Sequence, residues 1–421
     1  MVKLFGFKEK KNVDEALKLF LNEVKVKISE KESLNIEKAV GRILAEDIFS
    51  SVNVPHFNRS AVDGYAVKAE DTFGASKANP ILLKLSGKVE IGEKSNLKIE
   101  KGQAVRVSTG SMLPKGTNAV VKLEDAEEIG EYIEIYKSVA PGENVSKIGE
   151  DIKAGEIVLK KGTIIEPHDL GLLATIGVTK VKVLRKPKVA IFSTGNELAP
   201  IGSKVEEGQV IETNRLTISA ALNEMGCEVV DLGIVKDNID LIEGNIKIGL
   251  KMADAVIISG GTSVGGKDLV PEAIQRVGKL IVHGISMKPG MPTGLAVANG
   301  KPIFMLPGFP VAALVSFYTF VPRVIEKMVG FRTVKKKWEK VKVILERRIP
   351  STPGERTFVR VLIRKENNKF IAEPVRISGS GIMSSMVKAN AIIIVEEEKE
   401  GIEKGEEAEA VLIRPILEQL R

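Results

Sequence analysis

The chain has 421 residues, of which 43% are hydrophobic, so it is long enough for two to four globular domains with their own cores. Its net charge of +7 comes from 62 basic residues interleaved with 55 acidic ones, and its aromatic content of 5% is low. This pattern gives little support to a nucleic-acid surface, which needs clustered cations and stacking aromatic side chains, and leaves an anionic small ligand open.

A single cysteine, Cys227, excludes an internal disulfide and fits a reducing compartment. The three histidines match no zinc-binding spacing. The first twelve residues lack the apolar core of a signal peptide, and no apolar stretch is long enough to span a bilayer. These observations predict a cytoplasmic protein.

The N-terminal part of the chain predicts two helices. Asn12–Val24 places its apolar residues on one helical face and has a capping pair, Asn12 and Glu15, at its start. Leu34–Ile48 predicts a second, shorter helix that is interrupted at Gly41. Packing against the rest of the fold accounts for both helices.

Four short β-like runs separated by turn residues predict a small all-β domain. Two loops in or beside this region carry polar side chains: one contains Asp63, and the other is a Ser-Thr-Gly loop that contains Thr109. Taken alone, each loop favours a turn over a site. The four runs are Ile81–Leu85, Gln103–Val107, Ala119–Lys122 and Tyr132–Tyr136.

Residues 187–330 alternate between strand-like and helix-like stretches, which predicts a parallel sheet with helices on both faces. A hairpin is predicted over Asn299-Gly300, a strong turn pair, and a helix is predicted to begin at Pro310. The predicted strands are Val189–Phe192, Val229–Ile234, Val256–Ile258, Leu280–His283, Leu295–Ala298 and Ile303–Leu306.

Three polar loops follow strands of this sheet: Ser193–Glu197, Gly260–Asp268 and Leu306–Pro310. Ligands of such sheets bind beyond the carboxyl ends of the strands, so the three loops predict one pocket. Its charged side chains are predicted to be three acids and one base: Glu197, Asp237, Asp268 and Lys288.

The loop Gly260–Asp268 is close to a Walker A sequence. Gly261, Gly266 and Lys267 fit that pattern, but Asp268 stands where a serine or threonine is required. A carboxylate beside a phosphate is repulsive unless a cation lies between them. The loop therefore excludes a standard phosphate-binding loop and leaves two alternatives, a metal-assisted phosphate site and a turn without a ligand.

The C-terminal part is again β-like. Arg356 and Arg360 lie near a turn and have the fork that suits oxyanions, although their spacing alone favours ordinary surface cations. The predicted strands are Val341–Leu345, Phe358–Ile363, Phe370–Pro374 and Ala391–Val395.

The predicted fold is multidomain, α/β plus β. An irregular, elongated domain (residues 1–53 with 141–184) carries a small β-rich domain (54–140). A central parallel-sheet α/β domain (185–331) and a C-terminal β-barrel-like domain (332–421) follow.

Six motifs in this order resemble those of the molybdopterin molybdenumtransferase family, known as MoeA, to which the gephyrin E domain is related. The resemblance covers nearly the whole chain and implies that residues 185–331 bind molybdopterin. The motifs are Ser60-Ala-Val-Asp63-Gly-Tyr-Ala-Val, Arg106-Val-Ser-Thr109-Gly, Ser193-Thr-Gly-Asn-Glu197-Leu, Ser259-Gly-Gly-Thr-Ser-Val-Gly-Gly-Lys-Asp268, Met287-Lys288-Pro-Gly and Leu306-Pro307-Gly-Phe-Pro310.

The resemblance implies an enzyme of molybdenum cofactor biosynthesis that inserts molybdate or tungstate into adenylylated molybdopterin and releases AMP. It also implies Mg²⁺, a homodimer whose active site is shared between subunits, and a molybdopterin adenylyltransferase as a partner. No membrane or nucleic acid is expected as a partner.

The family's site residues match particular positions of this chain. Asp268 would hold the magnesium ion, and Arg360 and Ser385 would hold molybdate. The acids Glu197 and Asp237 would lie at the same site, and Asp63 and Thr109 would reach it from the partner subunit. The remaining matches are the phosphate or pterin cradle of Gly260, Gly261, Thr262, Ser263 and Gly265, together with Lys288, Pro307 and Pro310.

Three positions depart from the family pattern. Met291 replaces a second lysine, Phe309 replaces an asparagine, and Arg356 comes one place later than its counterpart. Two other functions stay open at this point: a gephyrin-like dimeric scaffold and a basic nucleic-acid-binding protein. The preference between molybdenum and tungsten is open as well, because the two oxyanions are nearly equal in size and charge.

Overall fold

The computed structural model describes residues 10–261, 269–331, 339–376 and 379–416. The chain forms two compact units: Lys31–Val183, and the residues on either side of it. Helix α1 (Val13–Glu23) belongs to the second of these and begins as predicted, because the Asn12 side chain accepts the Glu15 N–H at 2.8 Å. None of the helices in the described ranges combines the length and the apolar character that a membrane crossing requires.

The unit Lys31–Val183 is mostly β-structure and contains one α-helix in its described residues, α2 (Pro167–Thr175). Its strands are β1 (Lys31–Asn35), β2 (Ile48–Phe49), β3 (Arg59–Ser60), β4 (Gly64–Val67), β5 (Ile81–Val89), β6 (Gln103–Val107), β7 (Ala119–Lys122), β8 (Ala126–Ile129), β9 (Tyr132–Ile135), β10 (Val145–Ser146), β11 (Ile157–Leu159) and β12 (Lys180–Leu184).

A six-stranded sheet, in the order β7-β4-β6-β5-β9-β8, confirms the predicted β-rich region. Alternate residues of β4 enter different hydrophobic clusters: Tyr65 and Val67 enter one, and Ala66 enters the other. This is the period-two alternation of a strand that is covered on both faces. A separate core, which includes Leu44, Leu173 and Val183, lies among β1, β12 and α2.

The predicted helix Leu34–Ile48 is wrong. The segment contains the end of β1, a single 3₁₀ turn at Ile36–Lys38 and no α-helix. Gly41 has a φ of 80°, which ends any helical path, and the backbone N–H of Leu44 bonds to the carbonyl of Thr163. The apolar spacing looked helical locally, but partners more than a hundred residues away set the conformation.

The other unit contains the α/β domain and a barrel. Its helices after α1 are α3 (Asn214–Glu224), α4 (Ile239–Met252), α5 (Leu269–Val277), α6 (Pro310–Val329) and α7 (Ser384–Lys388). Its strands are β13 (Lys188–Thr194), β14 (Leu198–Ala199), β15 (Val210–Ile211), β16 (Glu228–Val235), β17 (Ala255–Ser259), β18 (Lys279–His283), β19 (Met287–Lys288), β20 (Gly294–Ala298), β21 (Lys301–Leu306), β22 (Lys340–Leu345), β23 (Ile349–Pro350), β24 (Arg356–Glu366), β25 (Lys369–Arg376), β26 (Ala391–Val395), β27 (Gly401–Ile402) and β28 (Glu407–Leu412).

The α/β sheet has the order β16-β13-β17-β21-β20-β18. Its first four strands are parallel, as predicted, and β20 runs antiparallel because it forms the predicted hairpin with β21. The φ values of 51° at Asn299 and 75° at Gly300 are those of a tight hairpin turn. Helices α4 and α5 pack on one face, while α3 and α6 pack together on the other. The carboxyl ends of β13, β17 and β21 therefore meet at one edge.

The C-terminal strands close into a barrel, which confirms the prediction. The order β24-β25-β22-β28-β26 returns to β24 through an additional pairing of β24 with β26, and β19 adds to β24 from outside the ring. Alternate residues of β24, namely Val359, Val361 and Ile363, fill the interior. The residues between them, including Arg360, therefore face outwards. The predicted domain boundaries, after residues 53, 140, 184 and 331, stay predictions.

Candidate active site

The carboxyl edge of the α/β sheet is drawn together by backbone and amide hydrogen bonds. The N–H of Gly260 donates to the carbonyl of Leu306 at 3.0 Å. The Asn214 side chain, at the start of α3, donates to Ser259 Oγ at 2.8 Å and to the carbonyl of Gly308 at 2.7 Å. One buried amide thus links the end of β17 to the loop after β21.

Two glycines make this close approach possible. A Cβ at Gly260 would lie 2.3 Å from the Thr194 carbonyl oxygen, and one at Gly261 would lie 2.5 Å from Cγ2 of Val270. Both have positive φ, 96° and 63°, which other residues rarely adopt. The structure therefore places Gly260 and Gly261 beside the loop that contains Pro307 and Pro310.

Two of the predicted acids lie at the same edge. Asp237 accepts hydrogen bonds from Thr194 Oγ1 at 2.7 Å and from the Asn196 N–H at 3.3 Å. Glu197 is in the same loop as Asn196, and its carboxylate packs so closely on Gly195 that a Cβ there would clash. Both carboxylates are exposed. The ends of β13 and β16 thus present two negative side chains to solvent.

Four predicted residues, Thr262, Ser263, Gly265 and Asp268, lie outside the described residues. No group of three or more histidine, cysteine, aspartate or glutamate side chains suited to a metal occurs in the part of the chain that the structure describes.

Lys288 lies between the α/β domain and the barrel. It is exposed, and its strand β19 pairs with the start of β24, where Lys288 is opposite Thr357. Two contacts of Thr293 hold the turn that follows Lys288. Its Oγ1 donates to the Gly290 carbonyl at 2.6 Å and lies 2.6 Å from Ser316 Oγ of helix α6. Among the described residues Lys288 has no ion-pair partner, so its position comes from the backbone.

The barrel wall contains a buried cation, Arg360. Arg360 is only 1% exposed, and burial lowers the pKa of its guanidinium, with a smaller contribution from the charge of Arg376. Helix α7 packs on β24 and β25 and holds Ser385, whose hydroxyl donates to the Ile382 carbonyl at 2.6 Å.

The barrel loop before α7 contacts the start of α6. The Val311 N–H donates to the Ser380 carbonyl at 3.0 Å, and a Cβ at Gly381 would lie 3.1 Å from the Phe309 ring. Arg360 and Ser385 therefore belong to a wall that touches the loop containing Pro307 and Pro310. Arg356, by contrast, is engaged with three carboxylates: Asp14, Glu396 and Glu397.

Asp63 and Thr109 come together within the unit Lys31–Val183. The Thr109 N–H donates to Asp63 Oδ1 at 2.8 Å. Asp63 lies in the loop that leads into β4, and Thr109 lies in the loop that follows β6, the antiparallel neighbour of β4. Two motifs separated by more than forty residues thus form one local cluster.

Asn214 and Ser259 are candidate site residues that were not among the residues predicted from the sequence. The available signal was the polar run Glu212–Arg215 at the start of a helix that faces the carboxyl edge. The same run includes the buried Glu212, which accepts a hydrogen bond from Ser193 Oγ at 2.9 Å.

Comparison with sequence families matches three successive parts of the chain. Residues 11–177 match the MoeA N-terminal region (domain I and II), residues 190–327 match a probable molybdopterin binding domain, and residues 342–413 match the MoeA C-terminal region (domain IV).

Individual relatives match over nearly the full length. A putative molybdopterin biosynthesis protein of Methanocaldococcus jannaschii is 41% identical, with 96% of each chain covered. The molybdopterin molybdenumtransferase of Haemophilus influenzae is 36% identical, over 91% of this chain and 94% of its own. The crystal structure of the molybdopterin biosynthesis MoeA protein from Pyrococcus horikoshii has a TM-score of 0.84 at 38% identity, and the match covers 97% of this chain and all of that one. The chain therefore belongs to the MoeA family of molybdopterin molybdenumtransferases.

Proposed function

We propose that this chain inserts molybdate, or tungstate, into adenylylated molybdopterin, with the help of Mg²⁺ and with release of AMP. One observation carries the proposal: two chemically different surfaces touch within one unit. The carboxyl edge of the α/β sheet offers glycine backbone and carboxylates, and the barrel wall offers the buried Arg360. The hydrogen bond between Val311 and Ser380 joins them.

The edge suits the phosphate groups of an adenylylated pterin. Gly260 and Gly261 have no side chain to keep a ligand away from the backbone, and backbone N–H groups are good donors to phosphate. Thr262, Ser263 and Gly265 would extend this cradle, as the family resemblance predicts. Pro307 and Pro310 would border it on the side of β21.

The barrel wall suits the oxyanion. Molybdate is a tetrahedral dianion that is recognised by charge-assisted hydrogen bonds. Arg360 is almost fully buried in the wall, so its guanidinium is held in place before an anion arrives. Ser385 would add a hydroxyl, and the exposed amine of Lys288 would approach from β19.

The acids at the edge fit a magnesium ion. Mg²⁺ is commonly held by one or two carboxylates together with substrate phosphates and water, so a larger cluster of acids is not required. Asp237 and Glu197 would hold it, together with Asp268. When bound, the ion would offset the negative charge that develops on the phosphate oxygens during cleavage of the adenylate. Thr194, by donating to Asp237, would keep that carboxylate aimed at the edge.

We further propose a homodimer in which Asp63 and Thr109 come from the partner subunit. Their hydrogen bond supports this, because it presents both residues as one group. A molybdopterin adenylyltransferase would supply the substrate. A cytoplasmic location agrees with a dithiolene substrate, which needs reducing conditions to keep its sulfur atoms available.

The test measures AMP release and metal insertion with adenylylated molybdopterin, molybdate and Mg²⁺. We expect the two products in equal amounts. Asp237→Asn should lower the rate about a hundredfold, because the amide keeps the shape and removes the charge. Asp240→Asn is the matched control, since Asp240 is an exposed acid on α4 that pairs with Arg276.

Two results would contradict the proposal at different points. If the wild-type chain released no AMP in the presence of molybdate, the proposed reaction would be wrong. If Asp237→Asn kept the wild-type rate and the same dependence on Mg²⁺ concentration, the reaction would stand and the magnesium assignment would fall.

A further inference from the structure

Strand β25 contains a bulge beside Arg360. Arg360 is opposite Arg376, but the next residue of β24, Val361, is opposite Pro374, so Val375 is an extra residue without a partner. Proline has no N–H to donate and occurs in sheets mainly at edges and bulges. Pro374 accounts for the irregularity at this position.

The bulge changes the direction of one side chain. Ala372 is in the barrel core, and regular alternation would send Arg376 to the same inner face. The extra residue shifts the alternation by one, so Arg376 shares the outer face with Arg360 instead. Arg376 is exposed there, and a Cβ at Gly379 would lie 3.0 Å from its Nε, so Gly379 packs against this side chain.

Two like charges therefore lie opposite each other on the wall. Directly opposed residues of an antiparallel pair have Cβ atoms about 5 Å apart, and like charges there are destabilising. The effect is visible at Arg360, where the charge of Arg376 adds to burial in lowering the guanidinium pKa. An anion that binds both guanidinium groups turns this repulsion into a favourable arrangement.

We propose that Arg376 is the second guanidinium of the oxyanion site and that it makes the site prefer tetrahedral dianions to monoanions of the same size. The inference rests on the proposed function. Each cation interacts with a dianion twice as strongly as with a monoanion. A second cation about 7 Å from the anion raises the preference for the dianion about tenfold after screening by salt.

The experiment compares tungstate, a dianion, with perrhenate, a tetrahedral monoanion of similar size. Affinities are measured by titration calorimetry on the full chain, in a buffer without other tetrahedral anions. The variants are Arg376→Gln and Arg376→Lys. The control is Arg348→Gln, because Arg348 is an exposed arginine of the same barrel that pairs with Glu403 at 2.9 Å.

We expect the ratio of tungstate to perrhenate affinity to fall about tenfold in Arg376→Gln and to stay at the wild-type value in Arg348→Gln. Arg376→Lys should keep most of the ratio, because it keeps the charge. Thermal unfolding gives a second measure: tungstate should raise the melting temperature less in Arg376→Gln than in wild type, whatever the stability of the variant without anion.

An unchanged ratio in Arg376→Gln, or an equal loss in Arg348→Gln, would overturn the role of Arg376 and leave the proposed function intact. A wild-type chain that binds neither anion would instead contradict the proposed oxyanion site itself.

Discussion

Arg356 and Arg360 lie four residues apart on strand β24, yet the first pairs with carboxylates and the second is opposite another arginine. Arg356 lies 2.8 Å from Asp14 of helix α1 and about as close to two glutamates of the loop after β26, Glu396 at 3.0 Å and Glu397 at 3.1 Å. Arg360 is opposite a second arginine. Residue type and strand are the same, so the neighbours decide what each side chain can do. The first connects elements of the fold, and the second is the residue that we propose binds the oxyanion.

This difference could not be seen in the sequence. Both arginines have the fork that suits an oxyanion, and both follow the same glycine turn. Arg356 pairs with Asp14, which is more than three hundred residues away in the chain. Arg360 is opposite Arg376 only because β25 contains a bulge. The two arginines of β24 are therefore expected to respond differently to substitution.

The largest effect is expected at Arg360. Arg360→Gln should lower molybdate insertion by about a hundredfold, because the proposed buried donor to the oxyanion would be lost. Its free energy of unfolding should change by less than about 1 kcal/mol, since lost packing is offset by relief of the repulsion from Arg376. Insertion assays and urea unfolding on the same protein measure both, with Arg348→Gln as control. A large loss of stability with normal insertion would place Arg360 in the same class as Arg356.

The reverse pattern is expected at Arg356. Arg356→Gln leaves Glu397, whose side chain is only 15% exposed, without its guanidinium. The free energy of unfolding should fall by about 2 kcal/mol, between the values for exposed and buried ion pairs. The rate of molybdate insertion should stay within about twofold of wild type, because the contacts of Arg356 are internal to the fold. Urea unfolding and insertion assays measure the two quantities. A loss of insertion without a loss of stability would show that Arg356 acts in the reaction and not in the fold.

The fold was largely predictable where local chemistry decides conformation. Asn299-Gly300 dictates its own turn, and the alternation of apolar strands with amphipathic helices dictates the sheet. The segment Leu34–Ile48 was not predictable in the same way, because its apolar residues follow a helical spacing but bond to residues 163 and 182. Hydrogen bonds to such distant residues cannot be predicted from the local sequence.

The residues of the candidate site likewise differ in whether local sequence determines their position. Gly260, Pro307 and Asp237 could be placed at one edge, since carboxyl ends of parallel strands meet. Asn214 could not, because its role depends on two acceptors that lie 45 and 94 residues away in the chain. The bulge at Val375 could not be predicted either, because it exists only relative to the register with β24.

The smallest effect is the pH dependence of the Arg356 contacts. The hydrogen bond from Arg356 lowers the pKa of Asp14 below its ordinary value of 3.8. A lowered folded-state pKa contributes stability that is present above the unfolded pKa and is lost as pH falls through the folded one. The difference in unfolding free energy between wild type and Arg356→Gln should therefore be constant between about pH 5 and pH 7 and should narrow below about pH 4. The Asp14 side chain is 76% exposed, so the narrowing should be small and should weaken further in high salt. Urea unfolding of wild type, Arg356→Gln and Asp14→Asn across this range measures it. A difference that widens as pH falls would show that Asp14 is not the carboxylate through which Arg356 stabilises the fold.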